Sequence, residues 1–197
     1  MNIMIRNISK SFEDKNVLVN FCATIPLHKT TAVMGSSGIG KTTLANILLG
    51  FEKPDSGEIT GIPQKKSAVF QEDRLSENFS ALANVQAVCK RGQDKIKASA
   101  LLCRLGLAEE QKTKVCDLSG GMKRRVALAR ALCADYDFLI LDEPFKGLDA
   151  ETKASAIETV KQYTNNKTVI LITHEKDTAA AMADHIIDLN KEDIQNG

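Results

Sequence analysis

Long apolar runs and an excess of one charge are both missing from this sequence. No apolar stretch approaches the roughly 20 residues that cross a bilayer. Residues 1–6 lack the charged-then-apolar layout of a signal peptide. Lysine and arginine (26) nearly balance aspartate and glutamate (25), so the formal net charge is +1. This balance argues against binding to nucleic acid or anionic lipid through bulk positive charge. We therefore expect a soluble, intracellular protein, with any membrane part supplied by a separate chain.

Cysteine motifs are absent as well. The five cysteines form no CxxC pair, and no His/Cys cluster has the spacing of a zinc site. We expect reduced thiols in a reducing compartment. The sequence also contains no internal repeat, linker or low-complexity segment, which predicts a single domain over residues 1–197. The cysteines are Cys22, Cys89, Cys103, Cys116 and Cys133.

The pattern of apolar residues predicts an α/β protein. Alternation over residues 3–8 and 17–25 predicts half-buried strands of an antiparallel sheet. Continuous apolar runs at 138–141 and 168–173 are typical of parallel strands buried on both faces. Strands alternating with helices then predict a mostly parallel sheet in three layers. The other predicted elements are strands at 30–34, within 51–61, at 67–70 and at 186–189 on an edge, and helices at 42–50, 119–134, 152–163 and 177–183.

Residues 74–115 differ from the rest of the chain in composition. They are rich in Ala, Leu, Lys and Glu and contain no proline. This composition predicts a separate helical lobe inserted into the α/β core. We therefore divide the single domain into a core with its β subdomain, at 1–73 and 135–197, and a helical subdomain at 74–134.

A glycine-rich loop follows the strand at 30–34. Residues 35–42, GSSGIGKT, fit the pattern G-x-x-x-x-G-K-[ST] between a predicted strand and a predicted helix. Glycines let the backbone approach phosphate oxygens, and the helix N-terminus attracts the anion. Lys41 is placed to reach the β- and γ-phosphates, and the Thr42 hydroxyl to bind Mg²⁺. The motif alone predicts only nucleoside triphosphate binding, by Gly35, Ser36, Ser37, Gly38, Ile39, Gly40, Lys41, Thr42 and Thr43.

Two carboxylates end the buried strand at 138–141. Asp142 is suited to hold Mg²⁺, and Glu143 is suited to polarise the attacking water as general base. A solvated strand-end pair is the alternative. His174 closes the strand at 168–173, and from there it could hydrogen-bond the γ-phosphate; a purely structural histidine is its alternative.

The stretch Leu118-Ser119-Gly120-Gly121-Met122 resembles the LSGGQ signature of ABC (ATP-binding cassette) ATPases. Ser119 followed by two glycines at a helix start also makes a second anion site on physical grounds. The resemblance implies a P-loop NTPase core and two subunits packed head to tail. Each ATP would then lie between one chain's phosphate loop and the other chain's Ser119, Gly120 and Gly121.

Other positions resemble the same family along nearly the whole chain. Gln71 matches the Q-loop glutamine, which contacts Mg²⁺ and communicates with the membrane partner. Asp149, after Gly147 and Leu148, matches the D-loop at the dimer interface. Phe12 matches the aromatic residue that stacks on adenine, with core packing as its alternative. Met122 replaces the usual signature glutamine, and Phe12 replaces the commoner Tyr or Trp. The resemblance thus makes Glu143, His174, Gln71 and Lys41 the catalytic group.

The resemblance favours a transport ATPase over a soluble ABC protein that acts on nucleic acid or ribosomes. Only about eighty residues separate the phosphate loop from the signature, and one cassette is present. Residues 71–75, QEDRL, resemble cassettes of nitrate, sulfonate, taurine and thiamine-precursor importers. We therefore expect an importer of a small anion or vitamin precursor, using ATP and Mg²⁺. Its expected partners are a second copy, membrane permease subunits and an extracytoplasmic substrate-binding protein. The expected location is the inner face of the cell membrane, held through the permease.

Charged residues after the Q-loop glutamine suggest where a permease docks. Glu72, Asp73 and Arg74 lie where the α/β core meets the helical subdomain, and we expect their charges to contact a cytoplasmic helix of the permease. A merely solvated turn is the alternative.

Overall fold

The computed structural model describes residues 2–13, 15–89 and 94–190, and it describes only the backbone of Asp94. By its internal contacts the chain forms two units. The first runs to Gln64 and resumes at Asn166, and the second spans residues 65–165. The strands are β1 Asn2–Phe12, β2 Lys15–Pro26, β3 Thr30–Met34, β4 Ser56–Thr60, β5 Lys66–Val69, β6 Phe138–Asp142, β7 Thr168–Ile172 and β8 His185–Asp188. The α-helices are α1 Lys41–Leu49, α2 Ala81–Gln86, α3 Asp94–Arg104, α4 Gly120–Cys133, α5 Ala150–Tyr163 and α6 Lys176–Met182.

An antiparallel sheet occupies one part of the first unit. Its strand order is β2-β1-β4, with Ile3 opposite Ile25 and Ile5 opposite Ile59. Ile3, Ile5 and Ile25 are buried, as the alternating pattern predicts. The register shifts between Ile5 and Ile8, and Asn7 there adopts the left-handed φ of 51°. Asparagine tolerates this conformation better than most residues, so the irregularity has a local cause.

The parallel strands of the first unit place three connections at one end of the sheet. β3 pairs with β7 on one side and with β8 on the other, and both pairings are parallel. Val33 lies opposite Ile172, and Met34 lies opposite Asp188. All five residues of β7 are buried, as the apolar run predicts. Because the strands are parallel and in this register, the segments that follow β3, β7 and β8 begin at the same sheet end.

The second unit combines a parallel strand pair with helices. β5 pairs with β6 in parallel, with Val69 opposite Leu141. α4 packs against both α2 and α3. These helices bury one face around leucines that are almost inaccessible to solvent, namely Leu101, Leu102, Leu128 and Leu132. Amphipathic packing of this kind supplies most of the stability of short helices.

Residues 74–80 fall within the lobe that composition predicts to be helical, but they form no helix themselves. The buried amide of Asn84 explains the difference. Its Oδ1 accepts from Ser76 N at 2.8 Å, and its Nδ2 donates to the carbonyls of Ser76 and Ser80 at 3.0 Å. Ser80 then caps α2 by accepting from Ala83 N at 3.1 Å. Two short 3-10 helices, Glu109–Lys112 and Val115–Asp117, complete the stretch before α4.

Across residues 2–13, 15–89 and 94–190, no helix is both long enough and apolar enough to span a membrane.

Candidate functional site

The glycine-rich loop joins β3 to α1 in the first unit. Lys41 Nζ donates to the carbonyls of Gly35 and Ser36, each at 2.8 Å, so its ammonium group lies against the loop backbone. Gly40 is the N-cap of α1, and since glycine has no side chain, it makes no side-chain capping bond to the first amides of the helix. A helix start of this kind presents amides and a positive dipole end to an anion.

Gly40 is fixed by its contacts as well as by its conformation. Its φ is +112°, which favours glycine, and a Cβ atom there would lie 2.9 Å from Val17 Cγ1 and 3.0 Å from Val17 O. β2 therefore packs directly against the loop. Gly38 also has a positive φ, +78°, but apart from its chain neighbours no described atom lies within 4 Å of its Cβ position. The two glycines thus have different roles, since Gly40 allows close packing and Gly38 allows only the backbone turn.

A connection between the loop and the end of β8 had no signal in the sequence. Asn190 Oδ1 accepts from Ser36 N at 3.0 Å. Asp188 Oδ1 in turn accepts from the backbone and side-chain nitrogens of Asn190, both at 3.0 Å. Ser36 and Asn190 are 154 residues apart, so only the parallel register of β3 and β8 brings them together. Asn190 is a positioning residue for the loop, because it orients one of the loop's amides.

His174 and Phe12 also belong to the first unit. His174 is exposed and follows β7 at the sheet end where the loop follows β3. Phe12 ends β1, is 43% exposed, and has Lys10 Nζ 5.1 Å from its ring centroid. The exposure of the ring rules out the core-packing alternative, and it leaves an aromatic face accessible for stacking. The adenine contact itself stays a prediction.

The two strand-end carboxylates lie in the second unit. Asp142 is the last residue of β6 and is 5% exposed. Glu143 follows with the left-handed φ of 48°, a conformation that is costly for a residue other than glycine. Gln71 follows β5, whose parallel pairing with β6 puts both connections at the same end of the strand pair. Gln71 and the acidic pair therefore begin at the same end of β5 and β6.

Arg124, on α4, is the residue of the second unit that sequence reasoning missed. It is 5% exposed, and its Nη1 donates to Phe70 O at 2.5 Å and to Asp73 Oδ1 at 2.9 Å. Its Nη2 donates to the carbonyls of Asp142 and Glu143, both at 2.5 Å. A buried arginine needs such partners, because an uncompensated buried charge is strongly destabilising.

The contact with Arg124 changes the interpretation of Asp73. The sequence suggests that the charges of Glu72, Asp73 and Arg74 meet a permease. Asp73 instead forms an ion pair with the buried Arg124, and its side chain is 25% exposed. Glu72 and Arg74 are exposed, and the Arg74 guanidinium lies 3.9 Å from the Phe70 ring centroid. Asp73 is thus engaged in an ion pair within the chain, and its neighbours Glu72 and Arg74 offer the more exposed charges.

The signature segment begins α4. Ser119 is the N-cap of that helix, and its Oγ accepts from Met122 N at 3.3 Å. Apart from its chain neighbours and the backbone of α4, no described atom lies within 4 Å of a Cβ built on Gly120, so this helix start is open to a ligand or partner. A Cβ on Gly121 would lie 3.4 Å from Gly147 O, which places the D-loop beside the signature.

Asp149 caps a helix, a role that the sequence analysis did not assign. Its Oδ1 accepts from Thr152 N at 3.0 Å at the start of α5. Hydrogen bonds from the backbone and side chain of Thr152 lower the pKa of the Asp149 carboxyl. An ionised carboxylate at a helix N-terminus is stabilised by the helix dipole. Any contact of Asp149 across a dimer interface would be additional to this role.

The oxygen donors predicted for a magnesium ion suit that ion chemically. They are a hydroxyl on Thr42, an amide on Gln71 and a carboxylate on Asp142. Within residues 2–13, 15–89 and 94–190, no group of three or more His, Cys, Asp or Glu side chains is arranged to hold a metal. Magnesium usually binds through one or two protein carboxylates and through substrate phosphates, and this donor set fits that mode.

These features define a nucleoside triphosphatase of the P-loop class. A family model described as ABC transporter matches residues 18–146, so the chain belongs to the ABC transporter family. An aliphatic sulfonates import ATP-binding protein of Rhodococcus jostii (strain RHA1) is 37% identical over 95% of this chain and 71% of its own length. A protein of the same name in Corynebacterium glutamicum (strain ATCC 13032) is 38% identical over 93% of this chain and 78% of its own length.

Solved structures agree with this assignment. The dimeric structure of a bacterial ABC transporter cassette has a TM-score of 0.85 at 28% identity, and it covers 94% of this chain and 93% of its own. The predicted fold class is confirmed: a P-loop NTPase core with a mostly parallel sheet, an antiparallel N-terminal sheet and helices. The predicted family and ATPase activity are also confirmed, and transport is favoured over a soluble protein acting on nucleic acid or ribosomes.

Proposed function

We propose that this chain works as a homodimer that sandwiches two ATP molecules and drives import through a separate membrane permease. The observation that carries the dimer is that one chain has two helix starts suited to phosphate. α1 begins at the glycine-rich loop, and α4 begins at Ser119 with the open position of Gly120. The relative with a dimeric structure supports the same arrangement.

The site residues have distinct proposed roles. Lys41 and the loop amides bind the β- and γ-phosphates, and Ser119 with its two glycines binds the γ-phosphate of the partner's ATP. Glu143 takes a proton from the attacking water, and His174, after β7, holds the γ-phosphate. Phe12 stacks on the adenine ring. Thr42, Gln71 and Asp142 hold Mg²⁺, which when bound neutralises phosphate charge.

The proposed substrate is a small organic anion, with an alkyl sulfonate as the first candidate. Relatives that are 37–38% identical over more than 90% of this chain are named aliphatic sulfonates import ATP-binding proteins. An extracytoplasmic binding protein would deliver the anion to the permease. The chain would sit on the cytoplasmic face, and Glu72 and Arg74 supply accessible charge for docking.

Reconstitution tests this proposal. The chain is co-expressed with the permease and binding protein encoded beside its gene, and the complex is placed in lipid vesicles. We expect ATP-dependent uptake of an alkyl sulfonate and ATPase stimulation by the loaded binding protein, both abolished by Lys41→Ala. Stimulated uptake of nitrate or a thiamine precursor, without sulfonate uptake, would replace the substrate but keep the importer. A chain that binds no permease would refute the coupling.

Charge reversal separates docking from catalysis. Arg74→Glu should keep most of the ATPase activity of the isolated chain but reduce co-purification with the permease. Lys112→Glu, an exposed charge change elsewhere in the second unit, is the control and should leave co-purification unchanged. Equal co-purification of both variants with the permease would move the docking surface away from residues 72–74.

A further inference from the structure

Arg124 joins three parts of the second unit through one side chain. From α4 it reaches the carbonyls of Phe70 and Gln71, the Asp73 carboxylate, and the carbonyls of Asp142 and Glu143. We infer that Arg124 is a positioning residue that fixes the general base to the helix carrying the signature. This inference rests on the proposed role of Glu143.

The backbone conformation of Glu143 shows why this residue needs a partner that holds it in place. Its φ of 48° is unfavourable for glutamate, so the surrounding structure must hold it there. Arg124 Nε and Nη2 both donate to the Glu143 carbonyl, at 3.2 and 2.5 Å. Lys146 N also donates to that carbonyl, at 3.2 Å. Without the guanidinium, only the Lys146 bond among these would remain, and the peptide could relax and move the carboxylate.

A second arginine of α4 contacts the segment at residues 70–74, which Arg124 contacts at Phe70, Gln71 and Asp73. Arg130 donates to the carbonyls of Asp73 and Arg74 at 2.9 and 2.8 Å. Arg74 also has a left-handed φ, 47°. The two positive-φ residues beside the predicted site, Arg74 and Glu143, are therefore each held by an arginine of the signature helix.

Arginine suits this task for geometric reasons. Its planar guanidinium carries five N–H donors in a fixed fork, so it can bond several carbonyls at once and keep them in register. Lysine has a single nitrogen that cannot reach the same carbonyls together. A displacement of the α4 start would therefore move Gln71 and Glu143 with it. A signal at the signature would reach the general base through one side chain.

The test compares two neighbouring arginines. Arg124→Gln removes the contacts above, while Arg125→Gln removes bonds to the carbonyls of Leu105 and Gly106 and a long one, 3.4 Å, to the carbonyl of Gly121, and none to Asp142 or Glu143. We expect Arg124→Gln to lower kcat about 10–100-fold, as misplacement of a catalytic group does, with the KM for ATP changed less than about threefold. Arg125→Gln should leave kcat near the parent value. Arg124→Lys should restore little of the loss.

A double-mutant cycle shows whether Arg124 acts through Glu143. In a Glu143→Gln background, adding Arg124→Gln should cause little further loss, because the group that it positions is already gone. A full additional loss in that background, or parent-like kcat in Arg124→Gln, would overturn the inference. If Arg124→Gln does not fold, Arg124→Lys takes its place in the cycle. Parent-like activity of Glu143→Gln alone would instead overturn the assignment of the base.

An independent observation concerns two sulfur atoms. Cys89 Sγ lies 3.1 Å from Cys133 Sγ, where the end of the α2 region meets the C-terminus of α4. Cys133 is buried and Cys89 is half-buried, so an oxidant can reach the pair through Cys89. We propose that these cysteines form a reversible disulfide. With hydrogen peroxide as oxidant, the two thiols lose two electrons and two protons, the S–S bond forms, and the peroxide becomes two waters.

Mass spectrometry tests this pairing. The folded chain is treated with dilute hydrogen peroxide, remaining thiols are alkylated, and peptides are mapped without reduction. We expect a cross-linked peptide pair containing Cys89 and Cys133, lighter by two hydrogen atoms and released by dithiothreitol. Cys89→Ser should abolish it, and Cys116→Ser at an exposed cysteine should not. Full alkylation of both cysteines after oxidation, with the exposed cysteines oxidised instead, would overturn the proposal.

Discussion

At the residue scale, the Glu143 carboxylate separates binding from chemistry. Glu143→Gln keeps the size of the side chain and removes its basicity, so ATP should still bind while the attacking water loses its proton acceptor. We expect turnover to fall by about 10² or more, the usual contribution of a general base. ATPase assays give the rate, and gel filtration with Mg-ATP should show an accumulated dimer. A variant that hydrolyses at the parent rate, or stays monomeric with Mg-ATP, would contradict the assignment.

Phe12 supplies the second residue-scale prediction. Its exposed ring can stack on a base, and its removal takes nothing from the core. Phe12→Ala should weaken ATP binding by roughly 1–2 kcal/mol, the scale of one base–aromatic stack. Phe12→Tyr keeps the aromatic face and should be nearly neutral. Titration calorimetry with ATP measures both. Equal weakening in the two variants would show that the ring does not stack on the nucleotide.

Functional residues could be predicted from the sequence where they belong to a short local pattern. Lys41, Ser119 and Asp142 belong to short patterns, because phosphate binding requires glycines, a hydroxyl and charges at fixed spacing. Arg124 and Asn190 gave no such signal. The partners of Arg124 lie 18 to 54 residues away and Ser36 lies 154 residues from Asn190, and only strand register and helix packing bring them together. Burial of an arginine in an otherwise amphipathic helix is likewise not visible in the sequence.

At the element scale, the contact between β2 and the phosphate loop controls stability. Gly40→Ala would press a Cβ against Val17, whereas Gly38→Ala adds a methyl group to open space at a similarly positive φ. Both changes carry conformational strain, and overpacking adds about 1–3 kcal/mol to the first. We therefore expect Gly40→Ala to be the less stable variant by that amount in urea unfolding without nucleotide. Equal stability of the Gly40→Ala and Gly38→Ala variants would mean that β2 shifts at Val17 and relieves the overpacking.

The start of β3 carries a pH-dependent contact. Asp184 Oδ2 accepts from Thr30 N at 2.9 Å, and Oδ1 lies 3.2 Å from Lys29 Nζ. The hydrogen bond from Thr30, and then Lys29, lower the pKa of Asp184 below its ordinary value of 3.8. A lowered pKa in the folded state means that this stability is fully present above pH 3.8 and is lost as pH falls through the folded value.

Asp184→Asn should therefore be less stable than the parent at neutral pH, and the difference should shrink as the pH falls below about 4. Thermal melting over a pH series measures it. Glu58→Gln, which removes an exposed ion pair with Arg6, is the control and should change stability little. A constant difference between Asp184→Asn and the parent at every pH would show that the carboxylate charge is not involved.

Elements were predicted well where one pattern dominates. The buried run of β7 and the alternation of β1 identify their strands without further information. Composition predicts the helical lobe but not which of its residues stay outside the helices: at residues 74–80 the buried Asn84 amide binds the backbone in another conformation. Side-chain to backbone bonds of this type compete with helix formation and leave little trace in composition.

At the scale of the whole molecule, the shared ATP site predicts complementation. A Lys41→Ala chain and a Ser119→Arg chain are each inactive as homodimers, since both sites of each dimer carry one lesion. A mixed dimer has one intact site, and the other site carries both lesions. Mixing should therefore restore about a quarter of the parent activity, the statistical share for one site in half of the dimers.

The measurement is the ATPase activity of the mixture compared with that of each variant alone. The control mixes the Lys41→Ala chain with a double variant that carries both Phe12→Ala and Lys41→Ala. This mixture cannot complement, because every phosphate loop in it lacks Lys41. For the parent chain, activity per subunit should also rise with protein concentration when dilute. A mixture no more active than its components would contradict the two-chain site and favour hydrolysis by single chains.

The parallel register of β7, β3 and β8 also governs where the chain can tolerate insertions. Asn190 meets Ser36 because Met34 lies opposite Asp188, and side chains change faces at every step along a strand. One residue inserted within β8 would shift Asn190 out of register with Ser36 and turn its side chain to the opposite face of the sheet. An insertion in the connection at residues 62–65 changes no pairing within β3, β7 or β8. Length variation among working versions of this protein should therefore gather in that connection and avoid the last strand.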